Sequence, residues 1–294
     1  MIVVPEAFAL ERIRKSGDAG RRWITALPGL VERLCERWEV GLIEGDPLYG
    51  DLALVALGQR GGEPCVLKVS WQEHSTLEEA VALRAWNGRG AVRLLEASPD
   101  DGALLLETLD PVRSLKDIDL LPAAEVAGAL IRRLAVPAPP GLPLLADLAE
   151  QVAVVVPRRQ AAMGNPLPRR WIDLAVGLAR DLAAAAGAAL VHADLHYGNV
   201  LAGTREPWVA VDPRAITGDP ERSVPELMWW RLDEADRAAD MRNVLDALVA
   251  AGDLDPDKAK AWTIVRAVDY WLWGLGAGLT EDPLRCRRLL ETLA

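Results

Sequence analysis

One short stretch of the chain, residues 190–214, concentrates side chains of the types that can handle a hydroxyl group and a metal ion. Asp194 and Asn199 lie five residues apart on a predicted loop, and Asp212 follows an apolar run. The Asp194 carboxylate can accept a hydrogen bond from a substrate hydroxyl, while the Asn199 amide oxygen and the Asp212 carboxylate are hard ligands of the kind that Mg²⁺ prefers. A hairpin-like turn predicted at residues 203–206 would bring the three side chains together.

Two of the three histidines of the chain, His192 and His196, lie beside Asp194. We expect His192 to brace the loop by hydrogen bonds, and His196 either to support the loop or to contact a substrate. A metal-dependent hydrolase that uses His192, Asp194 and His196 is an alternative from a different enzyme class. A binuclear metal site would require more histidine ligands, and His74 is the only further histidine in the sequence. The hydrolase is therefore the less favoured alternative.

A reaction of a metal-bound phosphate also requires a cation that contacts the phosphate groups. The chain offers one lysine inside a predicted strand. Lys68 lies in the apolar run CVLKVS. A lysine in such a strand needs a carboxylate to orient it, and Glu78 and Glu79 lie on the next predicted helix. The helical period directs Glu79 with Leu83 toward the strands, which predicts an ion pair between Lys68 and Glu79.

The composition limits the classes of partner. The net charge of −10 over 294 residues argues against nucleic acid, whose binding needs a basic surface, and is compatible with a small cationic substrate. The three cysteines include no CxxC pair, so neither a zinc site nor a disulfide framework is indicated. No uncharged apolar run reaches the ~18 residues of a membrane span, and the N-terminal residues lack a signal-peptide pattern. We expect a cytoplasmic protein without a membrane partner, either a monomer or a weak dimer.

The elements that must position these residues fall into two groups along the chain. Before residue 108 the pattern predicts a helix that begins at Pro28, three antiparallel strands, a helix and two more strands, whereas helical periodicity dominates the later part. The predicted fold class is therefore α+β, with a small antiparallel β lobe and a larger, mainly helical lobe. The predicted division is a β-rich lobe with leading helices at 1–108, a hinge or linker at 109–116, and a helical lobe at 117–294 that carries the catalytic loop and the acceptor site.

Several of these motifs occur together in one known family. They are Lys68 in its strand, Glu79, Glu107-Thr-Leu109, His192-x-Asp194-x4-Asn199 and Asp212. The series resembles the aminoglycoside/hydroxyurea antibiotic resistance kinase family of the aminoglycoside phosphotransferase superfamily, and within it the streptomycin 6-kinase and hydroxyurea kinase branch. The resemblance covers nearly all of the chain. Ala193 replaces the glycine that is usual after the histidine, and Tyr197 stands where proline is common.

The resemblance implies a two-lobed, protein-kinase-like fold and a kinase that uses ATP or GTP with Mg²⁺. Asp194 would be the catalytic base or hydroxyl-orienting residue, and Asn199 and Asp212 would hold the metal. Lys68, fixed by Glu79, would contact the nucleotide phosphates. The further nucleotide contacts that the resemblance implies are a loop over the triphosphate with Gly45, Asp46 and Gly50, and the hinge backbone near Glu107 and Leu109 for the adenine.

The acceptor-binding residues are predicted from scattered polar side chains. Asp269 lies on an apolar helix face, where a charge is costly unless it is paired. It would bind a guanidinium or ammonium group of the substrate, or form a salt bridge to an arginine. Arg214 would contact a phosphate or pair with a loop acid. The other candidates are His196, Glu226, Asp233 and Asp236.

The leading hypothesis is a phosphotransferase that moves the terminal phosphate of a nucleoside triphosphate to a hydroxyl of a small cationic antibiotic. A streptomycin-type aminoglycoside is the preferred acceptor. A second hypothesis keeps the chemistry and changes the acceptor to hydroxyurea, a sugar or another small metabolite. A third, from a different class, is a catalytically inactive kinase-like binding module, against which the intact set of polar residues argues.

Overall fold

The computed structural model describes residues 2–72, 74–235 and 237–294, and at residues 74–76 it describes the backbone alone. The chain forms two compact units, Met1–Leu109 and Asp110–Ala294. An antiparallel sheet dominates the first unit and helices dominate the second, which confirms the predicted α+β class. Within the described part of the chain, no helix combines the length and the apolar character that crossing a membrane requires.

The first unit is built on one antiparallel sheet. Its elements, in chain order, are α1 (Glu6–Trp38), β1 (Gly41–Leu42), β2 (Leu48–Tyr49), β3 (Ala53–Arg60), β4 (Glu63–Ser70), α2 (His74–Trp86), β5 (Leu94–Ser98) and β6 (Ala103–Glu107). The strand order is β1-β3-β4-β6-β5, and β2 also pairs with β3. The predicted succession of three strands, a helix and two strands is confirmed, and β2 is an additional strand inside a segment predicted to be a loop.

The prediction that a helix begins at Pro28 is wrong. Pro28 lies inside α1, and the break in this long helix is at Gly17, whose φ of 57° and ψ of −135° are not helical. Leu27, Val31 and Leu34 are fully buried against the sheet on both sides of Pro28. The burial of three large apolar side chains, at about 1.5–3 kcal/mol each, exceeds the roughly 3 kcal/mol that an internal proline costs. Packing against the sheet therefore outweighs the cost of the proline, and the helix continues through Pro28.

Alternation along β4 decides which side chains face α1. Leu67 and Val69 are buried together with Leu105 of β6 in the core that α1 covers. Because successive side chains of a strand point to opposite faces, Lys68 lies on the other face of the sheet. Helix α2 approaches that face, since its Glu79 is bonded to Lys68. The two helices of this unit thus cover opposite faces of one sheet.

The second unit is mainly helical and contains several short strands. Its elements, in chain order, are β7 (Asp110–Ser114), α3 (Leu120–Leu134), α4 (Leu145–Ala162), α5 (Arg169–Ala184), β8 (Ala189–His192), β9 (Val200–Ala202), β10 (Trp208–Ala210), β11 (Ala215–Gly218), α6 (Val224–Trp230), α7 (Ala238–Gly252), α8 (Pro256–Gly276) and α9 (Glu281–Leu293). Strand β7 lies where the sequence predicted a linker at 109–116, and it pairs with β9 in the order β10-β9-β7. The strand itself was not predicted, because its pairing partner β9 is far away in sequence. The role of segment 109–116 as a hinge or linker stays a prediction.

Two short antiparallel pairs, β8 with β11 and β9 with β10, frame the polar stretch 190–214. The continuous register of β9 and β10 confirms the hairpin predicted at 203–206. Val191 of β8 and Ile216 of β11 pack into a core formed with α4, α5 and α8. This core anchors the strands from which the polar side chains emerge.

Candidate active site

Four of the predicted site residues lie at the ends of the four short strands. Asp194 follows β8 by two residues, Asn199 directly precedes β9, Asp212 follows β10 by two residues, and Arg214 directly precedes β11. The backbone on one side of each residue is therefore held by the hydrogen bonds of a strand pair. The fold brings together side chains that the sequence spreads over twenty-one positions, from 194 to 214.

Three hydrogen bonds connect these strand ends. The backbone N–H of Val211 donates to the backbone oxygen of Asn199 at 2.9 Å. The backbone N–H of Ala193 donates to the backbone oxygen of Arg214 at 3.0 Å. The side-chain Nδ2 of Asn199 donates to the backbone oxygen of Asp194 at 3.0 Å. The two loops are thereby fixed to each other, which limits the movement of the carboxylate and amide groups they carry.

Asn199 and Asp212 offer oxygen atoms to a cation. Because Nδ2 of Asn199 donates to the backbone, the amide oxygen remains for a ligand. Asp212 has a positive φ of 57°, a conformation that aspartate enters more readily than most residues and that often occurs at functional sites. An amide oxygen and one carboxylate fit Mg²⁺, which proteins commonly hold through one or two carboxylates while substrate phosphates supply further oxygens. Among the described residues, no three His, Cys, Asp or Glu side chains are grouped as a metal site.

Arg214 pairs with Asp194, which is one of the two alternatives that the sequence left open. Its Nε is 3.4 Å from Oδ2 of Asp194. The Arg214 side chain is 66% exposed, so this ion pair contributes little to stability. An incoming ligand can therefore displace the guanidinium from the carboxylate at small cost.

His192 braces the two loops, as predicted. Its Nε2 lies 3.0 Å from the backbone oxygen of Val211, and its own backbone oxygen accepts a hydrogen bond from Ser223 Oγ at 3.1 Å. Burial lowers the pKa of His192 below its ordinary value. The neutral ring therefore donates a hydrogen bond from Nε2 to the backbone. The hydrolase alternative would instead use a nitrogen of this ring to bind a metal ion.

His196 also supports the loop and in addition faces a cavity. Its Nδ1 accepts a hydrogen bond from the backbone N–H of Gly198 at 3.1 Å. The ring stacks on Trp230, with ring centroids 4.8 Å apart and planes 6° apart. Burial lowers the pKa of His196, although the carboxylates of Asp194 and Asp212 act in the opposite direction. A neutral ring that accepts at Nδ1 carries its proton on Nε2, so it presents a donor.

In the first unit, Lys68 and Glu79 form the predicted ion pair. Nζ of Lys68 lies 2.8 Å from Oε1 and 2.7 Å from Oε2 of Glu79. Both residues are buried, with exposed fractions of 8% and 4%. The choice of Glu79 over Glu78 is thus confirmed, because the helix directs Glu79 toward the strand. The contact of Lys68 with nucleotide phosphates stays a prediction.

The other residues predicted to contact the nucleotide also lie in the first unit. They are Gly45, Asp46, Gly50, Glu107 and Leu109. The first three are exposed, and β2 lies among them. Glu107 ends β6, where its backbone N–H donates to the oxygen of Arg93 at 3.0 Å and its Oε1 accepts from the Arg93 N–H at 2.8 Å. Their roles toward a nucleotide stay predictions.

Three of the predicted acceptor acids, Asp269, Asp233 and Glu226, pair with arginines. Oδ1 of Asp269 lies 2.9 Å from Nη1 of Arg159, so the intramolecular salt bridge is the alternative that the structure contains. Asp233 pairs with Arg285 and is 56% exposed. Asp236 lies outside the described residues.

Glu226 has two arginine partners. Its Oε2 is 3.1 Å from Nη1 of Arg222, and its Oε1 is 3.0 Å from Nε of Arg266. Burial alone would raise the pKa of Glu226, but the two guanidinium groups outweigh it and hold the pKa below its ordinary value. Glu226 is therefore an anion at neutral pH whose charge is already compensated.

Two cavities adjoin Asp194 within the second unit, with volumes of about 210 Å³ and 420 Å³. Of the predicted acceptor residues, His196 lines the smaller cavity, Arg214 and Asp269 line the larger one, and Glu226 lines both. Among the described residues, Asp233 belongs to neither lining. Of the five predicted acceptor residues that lie in the described part of the chain, four thus line a cavity that also reaches the predicted base.

Sequence reasoning found Arg214 but missed three other arginines of this region, Arg159, Arg222 and Arg266. Arg222 precedes Glu226 by four positions and Arg266 precedes Asp269 by three, spacings at which charges meet on a helix, so a search for such pairs would have found them. Arg159 meets Asp269 from another helix, 110 positions earlier, and no local pattern indicates that contact.

Comparisons with known proteins support the resemblance. Residues 43–278 match the model of a family described as aminoglycoside/hydroxyurea antibiotic resistance kinase. The chain is 37% identical to a streptomycin 6-kinase of Streptomyces glaucescens, over 96% of this chain and 94% of that protein. It is also 37% identical to a hydroxyurea phosphotransferase of Kitasatospora aureofaciens, over 100% of this chain and 86% of that protein.

Solved structures show the same fold at low sequence identity. An aminoglycoside phosphotransferase has a TM-score of 0.62 at 16% identity, with 91% of this chain and 99% of that chain covered. A choline/ethanolamine kinase family protein from Mesorhizobium loti has a TM-score of 0.60 at 18% identity, with 90% and 93% covered. These similarities confirm the predicted protein-kinase-like fold.

Proposed function

Since the chain belongs to the aminoglycoside/hydroxyurea antibiotic resistance kinase family, we propose that it transfers the terminal phosphate of ATP or GTP to a hydroxyl of a streptomycin-type aminoglycoside. The observation that carries this proposal is the convergence of Asp194, Asn199 and Asp212 at the ends of three short strands, β8, β9 and β10. The relative from Streptomyces glaucescens is a streptomycin 6-kinase, which supports the choice of acceptor.

Asp194 is the group that handles the acceptor hydroxyl. Its carboxylate accepts the hydrogen bond of the hydroxyl and takes up the proton as the oxygen attacks the terminal phosphorus. The bond from that phosphorus to the bridging oxygen breaks, and the nucleoside diphosphate leaves. The hydrogen bond from Asn199 to its backbone oxygen and the core behind β8 hold the residue in place. Phosphoryl transfer asks a protein mainly for positioning and charge compensation, and a fixed carboxylate supplies the positioning.

The amide oxygen of Asn199 and the carboxylate of Asp212 would hold Mg²⁺. When bound, the ion neutralises negative charge on the phosphates. The hydrogen bond from the backbone N–H of Val211 to the backbone oxygen of Asn199 fixes the position of one ligand-bearing segment relative to the other. Lys68, oriented by Glu79 in the first unit, would contribute a further positive charge to the phosphates.

Hydroxyurea is the second candidate acceptor. The relative from Kitasatospora aureofaciens is a hydroxyurea phosphotransferase, and it is as similar to this chain as the streptomycin 6-kinase is. The smaller cavity beside Asp194, about 210 Å³, is large enough for such a small planar molecule. The chemistry at Asp194 would be the same for both acceptors.

The deciding experiment measures nucleotide consumption with ATP and GTP, in the presence of Mg²⁺, over streptomycin, hydroxyurea and simple sugars. We expect turnover with streptomycin or hydroxyurea, and a loss of about 10²–10⁴-fold in kcat for Asp194→Asn with nucleotide binding retained. Asp173→Asn is the matched control, because Asp173 is an exposed acid outside both cavities in the described chain. Wild-type rates in the Asp194 variant would refute its role as base.

We further propose that the protein works in the cytoplasm, where nucleoside triphosphates are available, as a monomer or weak dimer with a small cationic substrate. The net charge of −10 attracts cations and speeds their encounter. A decline in the association rate of streptomycin with rising salt would support this steering, and light scattering would report the oligomeric state.

A further inference from the structure

Two cavities in the second unit share part of their lining. Asp194, Glu226 and Arg266 line both the cavity of about 210 Å³ and the cavity of about 420 Å³. Side chains that line two neighbouring cavities form the wall between them. Glu226 and Arg266 are bonded to each other at 3.0 Å, so the wall is an ion pair, and Asp194 can be reached from both sides.

The smaller cavity, here called the aromatic compartment, is lined mainly by aromatic and apolar side chains. Its characteristic lining residues are His196, Trp229, Trp230, Thr263, Ala267 and Tyr270. Trp229 meets Tyr270 edge to face with centroids 5.2 Å apart, and His196 lies flat on Trp230. Aromatic side chains favour contact with planar groups and rings. This compartment suits a small planar acceptor, or one ring of a larger acceptor.

The larger cavity, here called the arginine compartment, has a different chemistry. Its characteristic lining residues are Leu148, Val152, Val155, Arg159, Arg222 and Asp269. Arg214 completes a set of guanidinium groups around it, and the carboxylates present are paired with them. Helix α4 supplies the apolar side of the compartment. The compartment therefore suits an uncharged, hydroxyl-bearing part of an acceptor, which finds guanidinium donors and carboxylate acceptors here.

The wall between the compartments is held from several directions. Glu226 is bonded to Arg222 on one side and to Arg266 on the other, and its side chain is 14% exposed. The guanidinium of Arg266 also lies over the ring of Tyr270, 4.9 Å from its centroid. Breaking a partly buried pair leaves an uncompensated charge, so the wall persists while a ligand binds.

We propose, on the basis of the proposed function, that the Glu226–Arg266 ion pair divides the acceptor site into two compartments that both reach Asp194. A small acceptor binds in the aromatic compartment alone. A multi-ring acceptor places one ring there and extends past the ion pair into the arginine compartment. The arginine compartment therefore determines specificity for large acceptors and is dispensable for small ones.

The volumes of the two cavities support these separate roles for small and large acceptors. Pockets for drug-sized ligands have volumes of roughly 300–1,000 Å³. The aromatic compartment, at about 210 Å³, is smaller than this range and matches a molecule as small as hydroxyurea. The arginine compartment, at about 420 Å³, lies within the range and provides space for the further rings of an acceptor whose first ring occupies the aromatic compartment.

A bulky substitution that fills only the arginine compartment tests the proposal. Val155 lines that compartment and is 38% exposed, so Val155→Trp fills space without disturbing the core. Val154→Trp is the matched control, because Val154 is the adjacent valine of α4, is 49% exposed, and belongs to neither lining in the described chain. KM and kcat are measured for streptomycin and for hydroxyurea, together with calorimetric binding of each compound to the whole protein.

We expect Val155→Trp to raise the ratio of the streptomycin KM to the hydroxyurea KM by about tenfold or more, since a blocked contact surface costs at least that factor. The ratio in Val154→Trp should equal the wild-type ratio. An equal effect of Val155→Trp on both acceptors, or no effect on streptomycin, overturns the two-compartment proposal and leaves the proposed function intact.

The proposal remains testable if the protein accepts only one of the compounds. With streptomycin alone as substrate, an unchanged streptomycin KM in Val155→Trp overturns it. With hydroxyurea alone as substrate, a raised hydroxyurea KM in Val155→Trp, but not in Val154→Trp, overturns it. If wild-type protein neither binds nor phosphorylates either compound, the proposed function itself fails, and the compartments lose their assignment with it.

Discussion

The side-chain amide of Asn199 donates a hydrogen bond to the backbone oxygen of Asp194 across 3.0 Å. The nitrogen of this side chain thus fixes the loop of the predicted base, while its oxygen is the predicted ligand of a cation. The bond also fixes the orientation of the amide group, since only nitrogen can donate to a carbonyl oxygen. The predicted base and the predicted metal ligand are therefore mechanically coupled.

Substitutions at Asn199 can separate these two tasks. Asn199→Asp keeps an oxygen for the cation but loses the donor to Asp194, whereas Asn199→Ala loses both. We expect both variants to lower kcat, and only Asn199→Ala to raise the Mg²⁺ concentration for half-maximal rate by at least about tenfold. Titration of nucleotide consumption with Mg²⁺ measures both effects. Identical Mg²⁺ curves for the two variants would contradict the assignment of the oxygen to the cation.

The buried pair of Lys68 and Glu79 allows stability to be distinguished from nucleotide binding. Lys68→Met leaves the Glu79 carboxylate without this cation and should lower the free energy of unfolding by about 3 kcal/mol. The double variant with Glu79→Leu should recover most of the loss, because two apolar side chains replace two charges. Urea denaturation measures both variants, and Lys15→Met, at an exposed pair, should cost less than about 1 kcal/mol.

Nucleotide affinity should respond differently from stability in this series. Lys68→Met and the double variant both lack the cation, so calorimetry should show weakened nucleotide binding in both. Full affinity in the stable double variant would show that Lys68 has a structural role only.

Glu226 should stabilise the protein in a pH-dependent manner. The two arginines hold its pKa in the folded state below the ordinary value of 4.5. Its contribution is therefore complete above about pH 4.5 and is lost as the pH falls through the lower pKa of the folded state. We expect Glu226→Gln to lower the free energy of unfolding by about 2 kcal/mol at pH 7, and the difference from wild type to shrink below pH 4.

Urea denaturation of wild type and Glu226→Gln between pH 3 and pH 8 measures this difference. Glu291→Gln is the control, because Glu291 pairs with Arg287 at an exposed site and should change stability by less than about 1 kcal/mol. A difference between wild type and Glu226→Gln that grows on acidification would contradict the expected sign.

Gly218 and Gly177 form a contrasting pair of glycines. A Cβ at Gly218 would lie 2.3 Å from Cβ of Leu145, a buried residue of the core behind β11. Gly218→Ala should therefore destabilise the protein by about 2–3 kcal/mol through overpacking. Gly177 lies in α5 with no atom within 4 Å of an added Cβ, so Gly177→Ala should stabilise it by about 0.5–1 kcal/mol. Thermal unfolding measures both, and a stabilised Gly218 variant would contradict the close contact.

The sequence by itself determined the features that depend on local pattern and residue type. The succession of strands and helices follows from hydrophobic periodicity. The choice of Glu79 as the partner of Lys68 follows from the helical period, and the β9–β10 hairpin from a short turn between two apolar runs. The polar set around Asp194 stands out because no apolar core accommodates it.

Only the tertiary structure decided the features that depend on contacts between distant segments. Pro28 lies inside α1 because burial of its apolar neighbours outweighs the cost of the proline, and β7 is a strand because β9 pairs with it. Asp269 pairs with Arg159 from another helix, and the ion pair of Glu226 with Arg266 lines two cavities. Local periodicity carries no information about which side chains meet across helices, since a charged side chain looks the same in sequence whether its partner is a substrate or a neighbouring arginine.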